Sequence, residues 1–362
     1  FRDAYMYVDK ALLGSVRREL HGQRKLTKAE LIRAALSGGI RANGVRLSAR
    51  LQAAFDRLFA EKTFEVPETL QATLRPYQVR GYSWLMRNLR AGMGAIIADD
   101  MGLGKTLQVI AVLEKLRVDG ELEDKQVMVV VPTTLLANWT REISRFAPNL
   151  KVSLFYGPQR SLADAKGHVV LTTYGSLKGS MKELEHKHFR LVVIDEAQAI
   201  KNYKTSAFKH VRELKTEGFI AMSGTPVENG LMEFWSIMEA SNPGILGSTT
   251  SFKQDYVYPI ENGHDAGIAE RFKRITAPFM MRRLKTDRSI ISDLPDKVSV
   301  DEYCTLTKEQ IVLYNEVVKR TMHAVDLCSD AFVRNSLVLQ MIVQLKQICN
   351  SPALFEPAGG FE

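Results

Sequence analysis

Four side chains able to do chemistry stand in two short stretches of the sequence. The first stretch is Ala98-Asp99-Asp100-Met101-Gly102-Leu103-Gly104-Lys105-Thr106. Its glycines let backbone N–H groups approach an anion closely, and a helix opening on Lys105 adds the positive end of its dipole. Read this way, Asp100, Met101, Gly102, Leu103, Gly104, Lys105 and Thr106 cradle the phosphates of a nucleotide. Lys105 reaches the β- and γ-phosphates, and the Thr106 hydroxyl ligates Mg²⁺. The general pattern G-x-x-x-x-G-K-[ST] has glycine where this chain has Asp99. Taken alone, the stretch therefore also reads as a glycine-rich turn with a surface lysine.

The second stretch is Leu191-Val192-Val193-Ile194-Asp195-Glu196-Ala197-Gln198. A buried strand delivers two carboxylates at its C-terminal end, where open α/β sheets bind ligands. Asp195 is expected to hold the Mg²⁺ shell, through water because Mg²⁺ keeps much of its hydration. Glu196 is expected to orient the water that attacks the γ-phosphate in line. Paired acids at a strand end also serve simply as helix caps. A third stretch, Ser223-Gly224-Thr225-Pro226, ends another strand. Its hydroxyls can hydrogen-bond the carboxylates at 195 and 196 and report nucleotide state, or they form a plain turn.

The elements that must position these groups follow from hydrophobic patterning. Strand-like runs at 94–98, 126–131, 151–156, 168–173, 190–195 and 218–223 alternate with helical patterns after Lys105, Thr134, Ser206 and Asn229. Continuous Val/Ile runs between helices predict a parallel sheet covered on both faces. Residues 1–65 read as a helical appendage, with Leu47, Leu51, Ala54, Phe55, Leu58 and Phe59 at helical spacing and Thr27-Lys28-Ala29-Glu30 in capping-box form. Its arginines fit a solvated helix face or a nucleic-acid contact, and its role fits a regulator or a docking surface. Residues 66–300 read as the main lobe, and 301–362 as a connecting segment with two final helices. A returning strand is expected near 296–303, and the basic run Arg282, Arg283, Lys285 is either a nucleic-acid track or a solvated charge run.

The bulk numbers narrow the class. The 362 residues carry 49 basic and 41 acidic side chains, a net charge of +8 that permits a polyanion partner without demanding one. Cys304, Cys328 and Cys349 are far apart, which argues against a zinc site or disulfide framework and fits a reducing compartment. No apolar run approaches the ~18 residues of a membrane span, and no secretory signal opens the chain. Opening on Phe1 rather than Met, the chain is expected to be an excerpt of a longer polypeptide.

In order, Leu74-Arg75-Pro76-Tyr77-Gln78, the loop at 99–106, Pro132-Thr133-Thr134-Leu135-Leu136-Ala137-Asn138-Trp139, Thr172-Thr173-Tyr174-Gly175, Asp195-Glu196-Ala197-Gln198 and Ser223-Gly224-Thr225-Pro226-Val227-Glu228-Asn229 resemble the SWI/SNF-type ATPases of helicase superfamily two. Phe234-Trp235-Ser236, Pro278-Phe279-Met280-Met281-Arg282-Arg283-Leu284-Lys285 and Leu345-Lys346-Gln347-Ile348-Cys349-Asn350-Ser351-Pro352 continue the likeness, which runs from Leu74 to Phe355. The family carries an acidic residue where Asp99 stands. Many relatives, including eukaryotic remodellers, have His at the position of Gln198, and Gln is commoner in bacterial-looking members.

The resemblance implies an α/β fold: a RecA-like parallel sheet of the P-loop NTPase kind, with a helical protrusion at 229–278. It implies ATP as substrate with Mg²⁺, double-stranded DNA as the partner, and a motor that moves along the duplex without separating it. Gln78 is similar to the glutamine that reads the adenine edge. Thr133, Asn138, Trp139, Thr173, Tyr174, Lys201 and Asn202 resemble residues along the tracked strand, and Gln198, Ser223 and Thr225 resemble the coupling elements. A second RecA-like lobe of the same polypeptide, closing over the nucleotide with its arginines, is implied too, and so is poor activity of these residues alone. The expected location is cytoplasmic, at the nucleoid in a bacterium. A strand-separating DNA or RNA helicase and a nucleotide-gated protein-interaction module remain rival readings. The pathway is open among transcription recycling, DNA processing and defence against phage, and protein partners are open as well.

Overall fold

The computed structural model describes residues 27–37, 62–225, 230–287, 302–328 and 330–355, with isolated positions between 49 and 60. The helix expected from Leu47, Leu51, Ala54, Phe55 and Leu58 lies outside the described residues. So do Pro226, Val227, Glu228 and Asn229, and the expected strand at 296–303 as far as 301. The chain divides into two compact units, Phe1–Leu294 and Pro295–Glu362.

The first unit begins with α1 (Lys28–Ser37) and α2 (Pro76–Arg90). Then follow β1 (Ala95–Ile97), α3 (Lys105–Val118), β2 (Val127–Val131), α4 (Leu136–Phe146), β3 (Val152–Phe155) and β4 (Val169–Thr173). Two short helices, α5 (Tyr174–Lys178) and α6 (Met181–Leu184), lead to β5 (His188–Phe189) and β6 (Leu191–Ile194). After α7 (Ser206–Glu213), β7 (Lys215–Thr216) and β8 (Phe219–Met222) come α8 (Leu231–Ser241), α9 (Thr249–Phe252) and α10 (Ala266–Thr276). A π-helical run, Lys253–Asn262, joins α9 to α10, and β9 (Met280–Met281) closes the series.

Seven strands form one parallel sheet in the order β3-β4-β2-β6-β8-β1-β9, and β5 and β7 pair separately. The six expected strands are all present, and β9 is an addition. Alternate residues along each strand feed two cores. Val127, Val129, Val131, Leu191 and Val193 pack with α2, α3 and α4, whereas Met128, Val130, Val192 and Ile194 pack with α7 and α8. Both faces are apolar, so the strands carry unbroken Val/Ile runs rather than an alternation. Each such side chain removed from water contributes about 1.5–3 kcal/mol.

Thr27 and Glu30 form the expected capping box: the Glu30 N–H donates to Thr27 Oγ1 at 3.2 Å and the Thr27 N–H to Glu30 Oε2 at 2.9 Å. Within the range expected as a helical protrusion, α8 is a sheet-covering helix. Its Phe234, Ile237 and Met238 are buried in the same core as Ile96 and Ala221.

The second unit holds α11 (Lys308–Asp326), α12 (Ala331–Asn350) and α13 (Pro352–Phe355). Thr307 caps α11, and Gln310 Nε2 donates to Ile348 O at 2.9 Å, tying α11 to α12. Among the described residues no helix is long and apolar enough to cross a membrane.

The start of β1 is fixed from a distant point in the sequence. Asn242, just after α8, accepts from the Gly94 N–H at 2.9 Å and donates to Gly94 O at 3.1 Å. Glycine is required there, because a Cβ on Gly94 would lie 2.1 Å from Ser241 O. Asn242→Ala strips both buried backbone groups of their partner. It is expected to destabilise the protein by about 1–3 kcal/mol, seen as a lower urea midpoint with an unchanged slope.

Candidate nucleotide site

The loop between β1 and α3 takes the conformation its glycines permit. Gly102 and Gly104 have φ of +84° and +72°, in the left-handed region where a side chain is strained. Gly104 is the N-cap of α3, and no side chain caps that helix, so its first N–H groups face the cradle. Leu103 is buried and plugs the loop from beneath, while Met101 is 73% exposed.

Lys105 points back across the loop, and its ammonium donates to Asp99 O at 2.6 Å. Burial pushes the ammonium below the usual lysine range, while Asp99, Asp195, Glu196 and Asp100, in that order, pull it back. The two acids of the second stretch thus act on the same ammonium as the loop itself. Because β1 and β6 are parallel members of one sheet, their C-terminal ends open on the same rim.

Asp195 is buried and both of its oxygens are held. Oδ1 accepts from the Glu196 N–H at 2.8 Å, and Oδ2 accepts from the Trp139 indole N–H at 2.8 Å. Burial raises its carboxyl above the usual range, against the lowering effect of those two donors. Glu196 sits at φ +50°, a left-handed conformation rare for a residue with a side chain. Such strain costs roughly 1–3 kcal/mol and clusters at functional sites. Its Oε2 accepts from Gln198 Nε2 at 2.6 Å, and Gln198 Oε1 accepts from the Ser223 hydroxyl at 3.2 Å. Ser223 Oγ in turn accepts from the Thr225 N–H at 3.1 Å. Ser223 therefore reaches the acidic pair through Gln198 rather than directly.

Among the described residues no group of three or more His, Cys, Asp or Glu is arranged to hold a metal ion. The residues that would hold Mg²⁺, Thr106 in the first turn of α3 and Asp195 just after β6, offer a hydroxyl and a carboxylate, oxygen donors only. That suits Mg²⁺, which takes one or two protein ligands and completes its shell with waters and substrate phosphates.

Gln78 is buried over the loop, where Nε2 donates to Leu103 O at 3.3 Å and Oε1 accepts from the Arg75 N–H at 2.9 Å. A Cβ on Gly104 would come within 2.3 Å of Gln78 Nε2. Both ends of the amide are thus engaged with backbone in this conformation.

The residues expected along a nucleic-acid strand divide into two groups. Thr133 and Asn202 are exposed, and Asn138 and Lys201 are half-buried. Asn138 donates to Glu142 Oε1 at 2.9 Å, and Lys201 pairs with Glu233 at 3.3 Å. Trp139, Thr173 and Tyr174 turn inward. Trp139 is 1% exposed and spends its one donor on Asp195. Thr173 is buried, and its hydroxyl caps α5 by accepting from the Ser176 N–H at 3.2 Å. The Tyr174 hydroxyl donates to Asp195 O at 2.6 Å. Trp139 and Thr173 are buried and Tyr174 is half-buried, and each is already paired within the protein.

Arg283 corrects the picture of residues 282–285 as a basic track. It is buried against the loop, donating to Asp99 Oδ1 from its backbone N–H at 3.1 Å and from Nε at 2.9 Å, and to Asp99 Oδ2 from Nη2. The same guanidinium reaches Gln108 Oε1 at 2.8 Å and Tyr77 O, and it stacks on the Tyr77 ring. Sequence reasoning missed this pair. The acidic Asp99 inside an otherwise generic phosphate loop was the available signal, because a buried carboxylate requires a cation.

A family model for the SNF2-related domain matches residues 77–354. The chain is 39% identical over 350 residues to YwqA of Bacillus subtilis, whose name assigns it to the ATP-dependent helicases and translocases; 93% of this chain and 37% of that protein are covered. It is 31% identical over 326 residues to the chromatin-remodeling ATPase INO80 of Candida albicans, covering 83% of this chain and 23% of that one. The chain therefore spans well under half the length of these relatives. The SWI2/SNF2 ATPase core of Sulfolobus solfataricus, solved in complex with dsDNA, superposes with a TM-score of 0.60 at 40% identity, over 82% of this chain and 63% of that one.

Removing one member of the buried pair leaves the other uncompensated, at a cost of about 3–5 kcal/mol. Arg283→Met is expected to destabilise the protein by that amount. Adding Asp99→Leu to it is expected to recover much of the loss, measured by chemical denaturation as a double-mutant cycle.

Proposed function

The chain belongs to the SNF2-related family, and from that membership and the geometry of the rim we propose that it forms the ATP-binding lobe of a motor that hydrolyses ATP to ADP and phosphate while translocating on double-stranded DNA. The observation that carries the proposal is that β1 and β6 are parallel members of one sheet, which brings the glycine loop with Lys105 and the Asp195–Glu196 pair to C-terminal strand ends on one rim. The DNA partner is supported by the Sulfolobus ATPase core, which is similar to this chain and was solved with duplex.

In this reading the open N–H groups at the start of α3 and the Lys105 ammonium bind the β- and γ-phosphates. Thr106 and Asp195 hold Mg²⁺, which when bound neutralises charge on those phosphates. Glu196, fixed by its left-handed backbone and by Gln198, orients the attacking water. The run from Glu196 through Gln198 and Ser223 to Thr225 gives the carboxylate a hydrogen-bonded route to the end of β8. Thr133, Asn138, Lys201 and Asn202 offer hydroxyl, amide and ammonium groups to a phosphate backbone, contacts that fix position without reading sequence. Gln78 is placed to meet the base once its present partners are exchanged.

A second lobe carrying arginines completes the site. Without such arginines, phosphoryl transfer of this kind slows by ~10³–10⁵-fold. Residues 1–362 assayed alone are thus expected to bind nucleotide weakly and to turn it over far below the DNA-stimulated rate of the whole protein. Full-speed hydrolysis by these residues alone would refute the two-lobe account.

Glu196→Gln keeps the shape and removes the charge. ATPase activity of the whole protein is expected to fall by about 10²–10⁴-fold while binding of a fluorescent ATP analogue persists. Unchanged function would identify a nucleotide-gated binding module. Displacement of a strand from duplex by the wild type would identify a strand-separating helicase.

A further inference from the structure

Two segments that resemble strand-contacting elements end in aromatic side chains that grip the same acid. In the first, Thr133 is exposed and Asn138 half-buried, and the next residue, Trp139, turns into the core and donates to Asp195 Oδ2 at 2.8 Å. In the second, Thr173 closes β4, and the next residue, Tyr174, donates to Asp195 O at 2.6 Å. Trp139 comes from α4 and Tyr174 from the start of α5, so the two grips arise from separate parts of the sheet rim. One holds the side chain of Asp195 and the other its carbonyl.

An indole has one donor and no acceptor; Trp139 is enclosed, and Tyr174 is half-buried against the core. A movement of α4 or of the β4–α5 turn therefore displaces the atoms of Asp195, because packed interiors transmit shifts rather than absorb them. With Oδ1 already fixed by the Glu196 N–H, the indole sets the remaining freedom of the carboxylate.

We propose that Trp139 and Tyr174 are positioning residues that couple occupation of the strand-binding surface to the geometry of the Mg²⁺-holding carboxylate of Asp195. This rests on the motor reading above and adds to it the route by which duplex DNA tunes the nucleotide site. It also assigns inward roles to two side chains that the sequence pattern places on the strand.

The test is thermodynamic linkage in the full-length protein. Affinity for the Mg²⁺ complex of a non-hydrolysable ATP analogue is measured with and without saturating duplex DNA. The ratio of the two affinities is the readout, and linkage requires the same factor in DNA affinity with and without analogue. In the wild type this factor is expected to lie at about 5–150-fold, the usual range for coupled sites. In Tyr174→Phe, which removes a single oxygen, it is expected to shrink, and in Trp139→Phe/Tyr174→Phe to approach one. A variant that merely loosens the fold weakens both affinities and leaves their ratio intact, and that result would overturn the coupling role. A wild-type ratio of one would overturn the coupling as well. Failure of the motor reading is recognised separately, as absence of duplex binding by the wild type.

Discussion

The phosphate loop is held in shape by a buried ion pair that joins it to the far end of the same unit. Two charges taken out of water cost several kcal/mol each, and the pair recovers that only when the geometry is good and further hydrogen bonds satisfy both ions. Here Asp99 receives three donors from one arginine, and that arginine adds Gln108 Oε1 and Tyr77 O. The pair extends a backbone ladder. The N–H groups of Ile96, Ala98 and Asp100 donate in turn to the carbonyls of Phe279, Met281 and Arg283, and the Lys285 N–H closes on Asp100 Oδ2 at 3.0 Å. One flank of the loop is thereby stitched to residues 279–285 before any phosphate arrives. The helix that follows has no side-chain cap, and the cost of ordering the loop falls on folding.

The opposite side of the rim is organised around Asp195, which is held by neighbours as Asp99 is held by Arg283. Buried carboxylates need donors, and the chain supplies them from an indole and a backbone amide instead of a second cation. A full ion pair at Asp195 would compete with a metal for its oxygens. Neutral donors fix the orientation and leave the charge available. The two acids are thus treated differently: Asp99 is paired with a cation, and Asp195 is held by neutral donors.

The sheet, its parallel sense and the lysine–carboxylate rim were legible in the sequence because each rests on a local rule. Unbroken Val/Ile runs report strands buried on both faces, and Gly102 and Gly104 report left-handed backbone. What was not legible depends on contacts distant in sequence. Arg283 reads as surface charge until its burial beside Asp99 is seen, 184 residues away. Trp139 and Tyr174 sit beside polar residues in their motifs, and the motif alone does not say which side chains face inward. The two-residue β9 is too short to leave a periodic trace, and its pairing to β1 comes from the ladder rather than from its own composition. α8 was legible as a helix, but its packing on the sheet became clear only from the burial of Phe234, Ile237 and Met238.

The long separation between Asp99 and its arginine has a consequence for biosynthesis. A ribosome adding roughly 5–20 residues per second covers their separation of 184 positions in roughly 10–40 s. Throughout that interval the nascent chain carries β1 and a lysine-bearing turn whose carboxylate has no counter-ion and whose flank has no strand to lie against. The loop at 99–106 therefore gains its buried ion pair only after most of this unit has been synthesised. A nascent chain that ends before Arg283 carries Asp99 without the cation that pairs with it in the folded protein.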